Sequence, residues 1–498
     1  MPLLLAAAGI LLTFSLPPFG WWPLGLALVV PFTFTALAPN KRKAFLAGFW
    51  FGVPFFAVHL FWLPTSFAKL LSPAFWGVYP PLVLLVSAFW GLTTLATRVI
   101  AAGFRTKQPH PSAVLVLLPI TWVITEQLRS VGYFGFPWGA LGYAWLDSPV
   151  GQLAEYGGLP LLSLLSASVA ALVTYASLRR KPLLLAIPAA LLIFAFFVGV
   201  ITGQREFERA EQPATTRTAL LVQGNLDPYS RAITAWAELE AHQVLTREGL
   251  AAHPGTDVVV WPEGAVTGSF IEGARGAGVR ADIAAEPGTT YVVGGRAYEQ
   301  YGSYNSTFSF TANEELGRYD KAQLVPFGEQ WPLYTQLRGV YEVIFNALNL
   351  PLLGATLPGT GNAPLPVGFS EAAAFICYES VFPNTVRRLV ANGGTFLLLT
   401  TNDAWFAMGN GARQHYDMGR LRAIETRRWL LRAGNDGITA VVNPSGRTVE
   451  ELPRGEAAWL HATFTERTER TLWVRYGQFA TPILVMMALL IGVIRRRA

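Results

Sequence analysis

Long apolar stretches recur along the chain before position 204 and then give way to short, alternating patterns. Stretches near the ~20 residues that cross a bilayer lie at about 2–16, 22–38, 44–63, 75–97, 112–128, 157–178 and 182–202, with an eighth at about 479–494. The first two are short, and Pro17, Pro18 and Pro23 blur their limits. A cleaved leader is the competing reading of the first. It is disfavoured because no basic stretch precedes the apolar run and no small-residue cleavage site separates it from the next helix. From 204 to 478 the pattern shortens. Apolar, β-branched runs fall at Ala219–Gln223, Val258–Trp261, Tyr291–Gly294, Ala373–Cys377, Thr395–Thr401 and Ile438–Asn443, with helical periodicity at about 232–250, 384–392 and 413–432. Strands interleaved with helices predict layered α/β packing. The pattern therefore predicts three parts: a transmembrane region of about seven helices over 1–203, an α/β domain over 204–478, and a last helix with an arginine tail over 479–498.

Charge separates the same parts. The chain is 52% hydrophobic and 14% charged, well below the roughly 25% charge of ordinary soluble domains. Residues 1–203 hold 11 basic and 3 acidic side chains, whereas the remainder holds 27 and 29. The net charge of +6 could suggest a nucleic-acid partner, but residues 204–494 alone carry about −5 and no basic patch, which argues against one. The basic residues mark every second loop: Lys41, Arg42 and Lys43; Arg98, Arg105 and Lys107; Arg179, Arg180 and Lys181; and Arg495, Arg496 and Arg497. The alternate loops contain only Lys69 and Arg129. This positive-inside pattern predicts cytoplasmic termini and delivers residues 204–478 to the outer face of the membrane.

Three segments of the outer part share one layout, a hydrophobic strand ending in a reactive polar residue. VVVWPE ends at Glu263; RYDK ends at Lys321 and leads through the apolar turn AQLVPFG to Glu329; AFIC ends at Cys377, with Tyr378 and Glu379 following. Strand ends of an α/β sheet are where ligands and catalysis gather. Cys377 is the one cysteine, so no intramolecular disulfide forms. A lone cysteine is commonly a small buried hydrophobe, and Glu263 and Lys321 could be a solvated surface pair. Read together, they supply a thiol nucleophile, a base and a cation for the developing oxyanion. An ammonium beside the thiol is expected to lower its pKa from about 8.5 toward neutrality. A histidine base fits less well: His253 precedes a Pro-Gly turn and His461 lies in a terminal strand-like run.

These segments resemble the nitrilase superfamily, with its Glu–Lys–Cys triad in an αββα sandwich. With the flanking helices, the whole chain is similar to the apolipoprotein N-acyltransferase family. The resemblance is carried by WPEG at Glu263, LVPFGE ending at Glu329, CYES at Cys377, TNDAWF over Thr401–Phe406, Gln414-His415, the segment Val222 to Asn225 and Phe136-Pro-Trp138. It implies a multi-pass helical membrane bundle joined to the sandwich domain, and acyl transfer from a membrane phospholipid, through a thioester on Cys377, to the α-amine of a diacylglyceryl-cysteine apolipoprotein. By motif position Glu263 is the base and Lys321 stabilises the oxyanion and thiolate. The Tyr378 N–H is a second oxyanion donor. Glu329 and Glu379 orient the lysine and the acceptor amine, and Asn305 falls in a further functional segment. Three loops depart from the family pattern: Leu226 to Ala232, Gln330-Trp331 and Ala407 to Gly411. They put donor preference in doubt, not the triad.

Acyl transfer needs no cofactor, and no metal or nucleotide motif is present. The competing readings are a membrane-tethered nitrilase or amidase acting on a small amide, and a transporter with an outer binding domain. Transporters usually place ionisable groups within their spans, whereas Glu126 is the only carboxylate near one. Between Lys321 and Cys377, Trp331, Tyr334, Leu337, Val340, Tyr341, Ile344, Phe345 and Leu348 recur at helical spacing. This predicts an apolar helix over about 331–353, read either as a lid opening toward the bilayer or as a helix packed on the sandwich, the lid being preferred.

Overall fold

The computed structural model describes residues 1–70, 72–103, 108–210, 215–227, 235–266, 271–284, 286–300, 302–331, 333–348, 356–407 and 409–497. The chain divides into two compact units. Met1–Thr65, Ala74–Phe207 and Arg475–Ala498 form one, and Ser66–Pro73 with Glu208–Val474 form the other.

The first unit is helical. Phe75–Ala101, Pro111–Leu128, Pro149–Arg179, Pro182–Arg209 and Leu472–Ile494 are each long and apolar enough to cross a membrane. A bent pair, Lys41–His59 and Trp62–Leu70, meets at 46° and makes a sixth span if counted as one. Of the expected eight spans, six among the described residues meet that length and apolarity when the bent pair is counted as one, and five when it is not. The difference lies in the first two segments, which form the shorter helices Pro2–Thr13 and Trp22–Ala36. Twelve residues rise only about 18 Å, short of the ~30 Å hydrocarbon core. The helices pack closely through small residues: a Cβ on Gly48 would lie 2.2 Å from the Trp90 carbonyl. Thr94 adds a hydroxyl bond of 2.8 Å to the Ala44 carbonyl of the neighbouring helix.

The second unit holds twelve strands among the described residues: β1 (Thr216–Gln223), β2 (Val258–Val260), β3 (Thr290–Glu299), β4 (Gly302–Phe310), β5 (Glu315–Asp320), β6 (Leu365–Pro366), β7 (Glu371–Ile376), β8 (Phe396–Thr401), β9 (Leu430–Gly434), β10 (Ala440–Val442), β11 (Thr448–Glu451) and β12 (Ala458–Thr465). They form two six-stranded sheets, ordered β12-β1-β2-β3-β4-β5 and β11-β10-β9-β8-β7-β6. Each has a parallel centre, β1-β2-β3 in one and β7-β8-β9 in the other. The period-2 alternation of a strand decides what each face buries. In β1, Ala219 and Leu221 join Ala374, Ile376 and Leu398 in the core between the sheets. Leu220 and Val222 face the other way, with Leu239 and Leu250 of the helix Ala235–Ala252. Helices on the outer faces of two packed sheets give the expected αββα sandwich.

The pattern reading gave no run for β4, β6, β9 and β11, touched β5 and β12 only at Lys321 and His461, and carried one helix too far. The helix expected over 413–432 ends at Thr426, where Arg427 adopts φ +52°. The chain then re-enters the sheet as β9, whose five residues are all buried. The predicted apolar helix is present as Tyr334–Leu348, with Leu337, Val340 and Val343 exposed by 39, 55 and 69%. Its Tyr341 is buried edge-on against Trp331, with ring centroids 5.2 Å apart. Positions 332 and 349–353 of the expected lid lie outside the described residues.

Candidate active site

Glu263, Lys321 and Cys377 each follow the end of a strand: β2, β5 and β7. Below Glu263, Trp261 is fully buried, donates from Nε1 to the Thr246 hydroxyl at 2.8 Å and stacks on His242. That anchor fixes where the strand ends and the carboxylate begins. Gly294 on the neighbouring β3 must be glycine, since a Cβ there would lie 2.2 Å from the Pro262 carbonyl.

Asn305 and Lys321 meet because β4 and β5 pair antiparallel. Ser306 opposes Asp320, and the next rung is the Lys321 N–H bond to the Asn305 carbonyl at 2.9 Å. The Lys321 ammonium, 1% exposed, lies 3.0 Å from both Glu263 Oε1 and Glu329 Oε1. The Asn305 amide donates to the same two oxygens at 2.7 and 2.8 Å. Each carboxylate's second oxygen is held by backbone: Glu263 Oε2 by Asn402 N–H at 3.0 Å, and Glu329 Oε2 by Val325 N–H at 2.9 Å. Burial alone would lower the Lys321 pKa, but the charges of Glu263 and Glu329 outweigh it and hold the ammonium well above its usual value. Glu329 is depressed in return, Lys321 overcoming its burial.

Cys377 is 8% exposed and stands at φ +47°, a left-handed conformation that a non-glycine residue adopts at a cost. The chain turns there from β7 into the short helix Cys377–Val381. Its thiol lies in the field of Glu263 and Lys321 and takes a hydrogen bond from Thr401. The expectation of a thiol lowered toward neutrality is overturned. Burial and the Glu263 charge push the thiol well above its ordinary value, and Lys321 only partly opposes them. The physical reason is first burial, which keeps water from a thiolate, and then the charges of Glu263 and Asp403, against which one ammonium stands. A thiol so placed needs a base before it can attack.

Glu379 sits apart from this cluster. Fully buried, it accepts from the Tyr319 hydroxyl at 3.0 and 2.9 Å, from the N–H groups of Ala322 and Gln323 at 2.8 and 3.1 Å, and from Ile376 N–H at 2.8 Å. These bonds tie the chain after Lys321 to the strand before Cys377, and they occupy the oxygens that sequence reasoning had assigned to an acceptor amine. Burial raises its pKa against the opposing backbone bonds. Tyr378 is also buried, its ring edge-on to Phe382 with centroids 5.2 Å apart.

A second cluster lies behind the nucleophile and was not foreseen. The Cys377 carbonyl meets His415 Nε2 at 3.0 Å, and Ser380 Oγ meets the same nitrogen at 2.8 Å. His415 Nδ1 lies 3.0 Å from Asp403 Oδ1, and Arg432 binds Asp403 Oδ2 at 2.5 Å. All three side chains are fully buried. Arg432 and His415 hold Asp403 well below the usual carboxylate range despite its burial. Asn402, whose N–H binds Glu263, precedes Asp403 directly, and Ser66 donates to the Phe406 carbonyl at 2.7 Å at the far end of the same turn. The signal was present in TNDAWF and Gln414-His415, but the sequence alone assigned neither motif a task.

The chain is similar to known proteins over nearly its whole length. The Carbon-nitrogen hydrolase family model matches residues 218–471, and that of the Apolipoprotein N-acyltransferase N-terminal domain matches residues 8–172. Among curated proteins, the chain is 30% identical to the apolipoprotein N-acyltransferase of Pseudomonas putida, over 98% of this chain and 95% of that one. It is 31% identical to that of Vibrio cholerae, over 99% and 96%. Among solved structures, Saccharomyces cerevisiae Nit3, a member of branch 10 of the nitrilase superfamily, aligns with 50% of this chain and 90% of its own at 16% identity and a TM-score of 0.39. With a Carbon-nitrogen hydrolase domain over half its length and end-to-end relatives at 30% identity or above, this chain belongs to the apolipoprotein N-acyltransferase family of membrane enzymes.

Proposed function

We propose that this enzyme moves an acyl chain from a membrane phospholipid to the α-amine of a diacylglyceryl-cysteine apolipoprotein, in two half-reactions through a thioester on Cys377. The carrying observation is the enclosed Glu263–Lys321–Glu329 cluster with the buried Cys377 thiol in its field. A thiol held above its usual pKa is a poor nucleophile alone. Glu263 therefore takes the Sγ proton as sulfur attacks the donor's ester carbonyl, and Lys321 balances the charge that develops on oxygen, with the Tyr378 N–H as a second donor. The ester C–O bond then breaks, the proton passes from Glu263 to the departing lysophospholipid oxygen, and the acyl group stays on sulfur. In the second half-reaction Glu263 takes a proton from the attacking amine, the amide forms and the cysteine leaves as thiol. Asn305 and Glu329 hold the charged pair in register, while Glu379 fixes the distance between the lysine loop and the nucleophile strand.

The same reading assigns the catalytic domain, about residues 204–478, to the extracytoplasmic side and both termini to the cytoplasm. The basic loops support it, and a count of six spans, with the bent pair crossing once, does not disturb it. If Pro2–Thr13 and Trp22–Ala36 do not cross, they return together to the side on which Lys41, Arg42 and Lys43 lie, and the parity of later crossings is unchanged. Two lipid substrates also give a reason for anchoring such a domain among apolar helices, which a small-amide hydrolase lacks. The exposed aliphatic face of Tyr334–Leu348 suits contact with lipid. Intact-mass analysis after mixing with phospholipid tests the proposal. One added acyl chain, released by hydroxylamine and absent in Cys377→Ala, is expected. An unmodified wild-type chain with undiminished release of free fatty acid sinks it.

A further inference from the structure

Of the two basic residues in the loops that the positive-inside pattern leaves nearly uncharged, Lys69 and Arg129, the second follows the helix Pro111–Leu128 and is only 4% exposed. An arginine near the end of a span ordinarily extends its charge to the aqueous interface. This one turns inward. None of its three guanidinium nitrogens has a hydrogen-bond partner, and it makes no ion pair among the described residues. The carboxylate one turn back, Glu126, acts on it electrostatically but makes no bond to it, its Oε1 accepting from Trp122 Nε1 at 3.1 Å and from Leu141 N–H at 3.0 Å.

The chain closes over this side chain. The Arg129 carbonyl accepts from Phe136 N–H at 2.6 Å, and Gly139 packs where a Cβ would lie 2.9 Å from the Phe55 ring and 3.3 Å from Phe56. The guanidinium stands over the Phe56 ring, 5.3 Å from its centroid. Phe136 stacks on Trp138 at 5.1 Å, and Trp138 meets Trp62 at 5.8 Å. The tip of the same loop is apolar and open, with Val131, Tyr133 and Phe134 exposed by 62, 42 and 58%. A buried guanidinium whose donors are all unmet is among the costliest features a fold can carry, and aromatic faces and a carboxylate that acts only at a distance offset only part of that cost. A guanidinium kept in this state retains its whole donor fork for something else.

We infer that Arg129 is the receptor for a phosphate oxyanion, the chemistry shared by a phospholipid head group and free phosphate. The planar fork matches two phosphate oxygens at once. The aromatic walls and the open apolar loop tip suit an anion that arrives attached to acyl chains. The inference rests on the proposed function, in which the acyl donor is a phospholipid, and adds the group that recognises its head.

The test is thermal melting of the purified full chain in detergent with three probes: a short-chain phosphatidylglycerol, a diacylglycerol with the same chains, and inorganic phosphate. The phosphatidylglycerol is expected to raise the melting point of the wild type where the diacylglycerol does not. A matching rise with inorganic phosphate assigns the site to the free anion, and its absence assigns it to the lipid. Arg129→Met is expected to weaken phosphatidylglycerol binding at least tenfold and, with the unpaired charge gone, to melt no lower than the wild type without ligand. Arg129→Lys, a charge without the fork, should fall between them. Equal responses to phosphatidylglycerol and diacylglycerol, or an Arg129→Met variant that melts well below the wild type, would overturn the inference. Thioester on Cys377, measured in the same samples, separates the two claims. Thioester without a phosphate-dependent shift refutes the Arg129 site alone, and a phosphate-dependent shift without thioester refutes the acyl-transfer reading alone.

Discussion

Replacing Glu329 with Gln should slow thioester formation by about one to two orders of magnitude while leaving the sandwich folded. Lys321 is shared by two carboxylates at equal distances of 3.0 Å. Removing the charge of one turns a three-centre arrangement into a single Glu263–Lys321 pair, which binds the base more tightly and leaves it less able to take the thiol proton. The amide also cannot satisfy its surroundings. The oxygen that binds Lys321 and Asn305 must stay an acceptor, so the nitrogen faces the Val325 N–H, donor against donor, where a 2.9 Å bond now stands. A hydrogen bond to a charged group contributes about 1.5–3 kcal/mol. At about 1.4 kcal/mol per tenfold, its loss slows the step by about 10–150-fold. The orphaned Val325 N–H costs about 1–3 kcal/mol more in stability, a loss of several degrees in melting temperature. Single-turnover acylation, quenched and followed by intact mass, measures the step directly. Because Glu329 is held by protein donors alone, the donor concentration for half-maximal rate should stay within about threefold. A Glu329→Gln enzyme that acylates at the wild-type rate, or that loses only donor affinity, refutes the reasoning.

Three further outcomes follow from particular contacts. The Asp403 carboxyl is depressed in the fold, so its contribution is complete above its unfolded pKa of about 3.9 and is lost as pH falls below that value. Asp403→Asn should therefore cost about 3–5 kcal/mol at neutral pH, as loss of one partner in a buried pair does, and the gap in melting temperature from wild type should narrow as pH drops from 5 toward 3. A gap independent of pH contradicts this. Val340→Ser with Val343→Ser, at positions exposed by 55 and 69%, removes roughly 1.5 kcal/mol of lipid burial at each. The pair should depress use of long-chain phospholipid more than use of a short, water-soluble thioester, with the melting point unchanged. Parallel losses with a lowered melting point would make the helix core packing instead of a lid. For orientation, single cysteines at positions 42 and 300 in a Cys377→Ser background should label from the cytoplasmic and outer sides respectively, and labelling of 300 from the cytoplasm would invert the map.

Much of the catalytic cluster was readable because its members end strands, and a buried β-branched run that stops at a charged residue leaves a strong local mark. VVVWPE and AFIC show it plainly. Asn305 needed more, since only the β4–β5 register sets it beside Lys321. His415, Asp403 and Arg432 left no such mark. Each is a charged or polar residue in a wholly buried segment, and what pairs them is a contact across two strands and a helix rather than a spacing. The histidines that sequence reasoning weighed, His253 and His461, stack on each other at 3.8 Å, away from the cluster. The thiol was misjudged for a different reason. Counting the nearest cation suggested a lowered pKa, whereas the sign depends on all three charges and on burial together. In the membrane half, apolar length was legible and so were the prolines that shorten the first two segments, which form the helices Pro2–Thr13 and Trp22–Ala36.

The claim that most needs testing is that the acyl group waits on sulfur for an amine and not for water. Water stands at about 55 M, so a thioester that outlives the donor requires a dry site and a well-placed acceptor. The decisive measurement loads the wild-type enzyme with phospholipid, removes the donor and follows the mass of the Cys377 adduct by time-resolved intact-mass spectrometry. The adduct should persist in buffer and in the presence of an N-acetylated diacyl lipopeptide. It should disappear, with triacylated product in equal amount, when the same lipopeptide carries a free α-amine. Rapid loss to free fatty acid without acceptor, at a rate the amine does not change, would make the enzyme a hydrolase and contradict the mechanism.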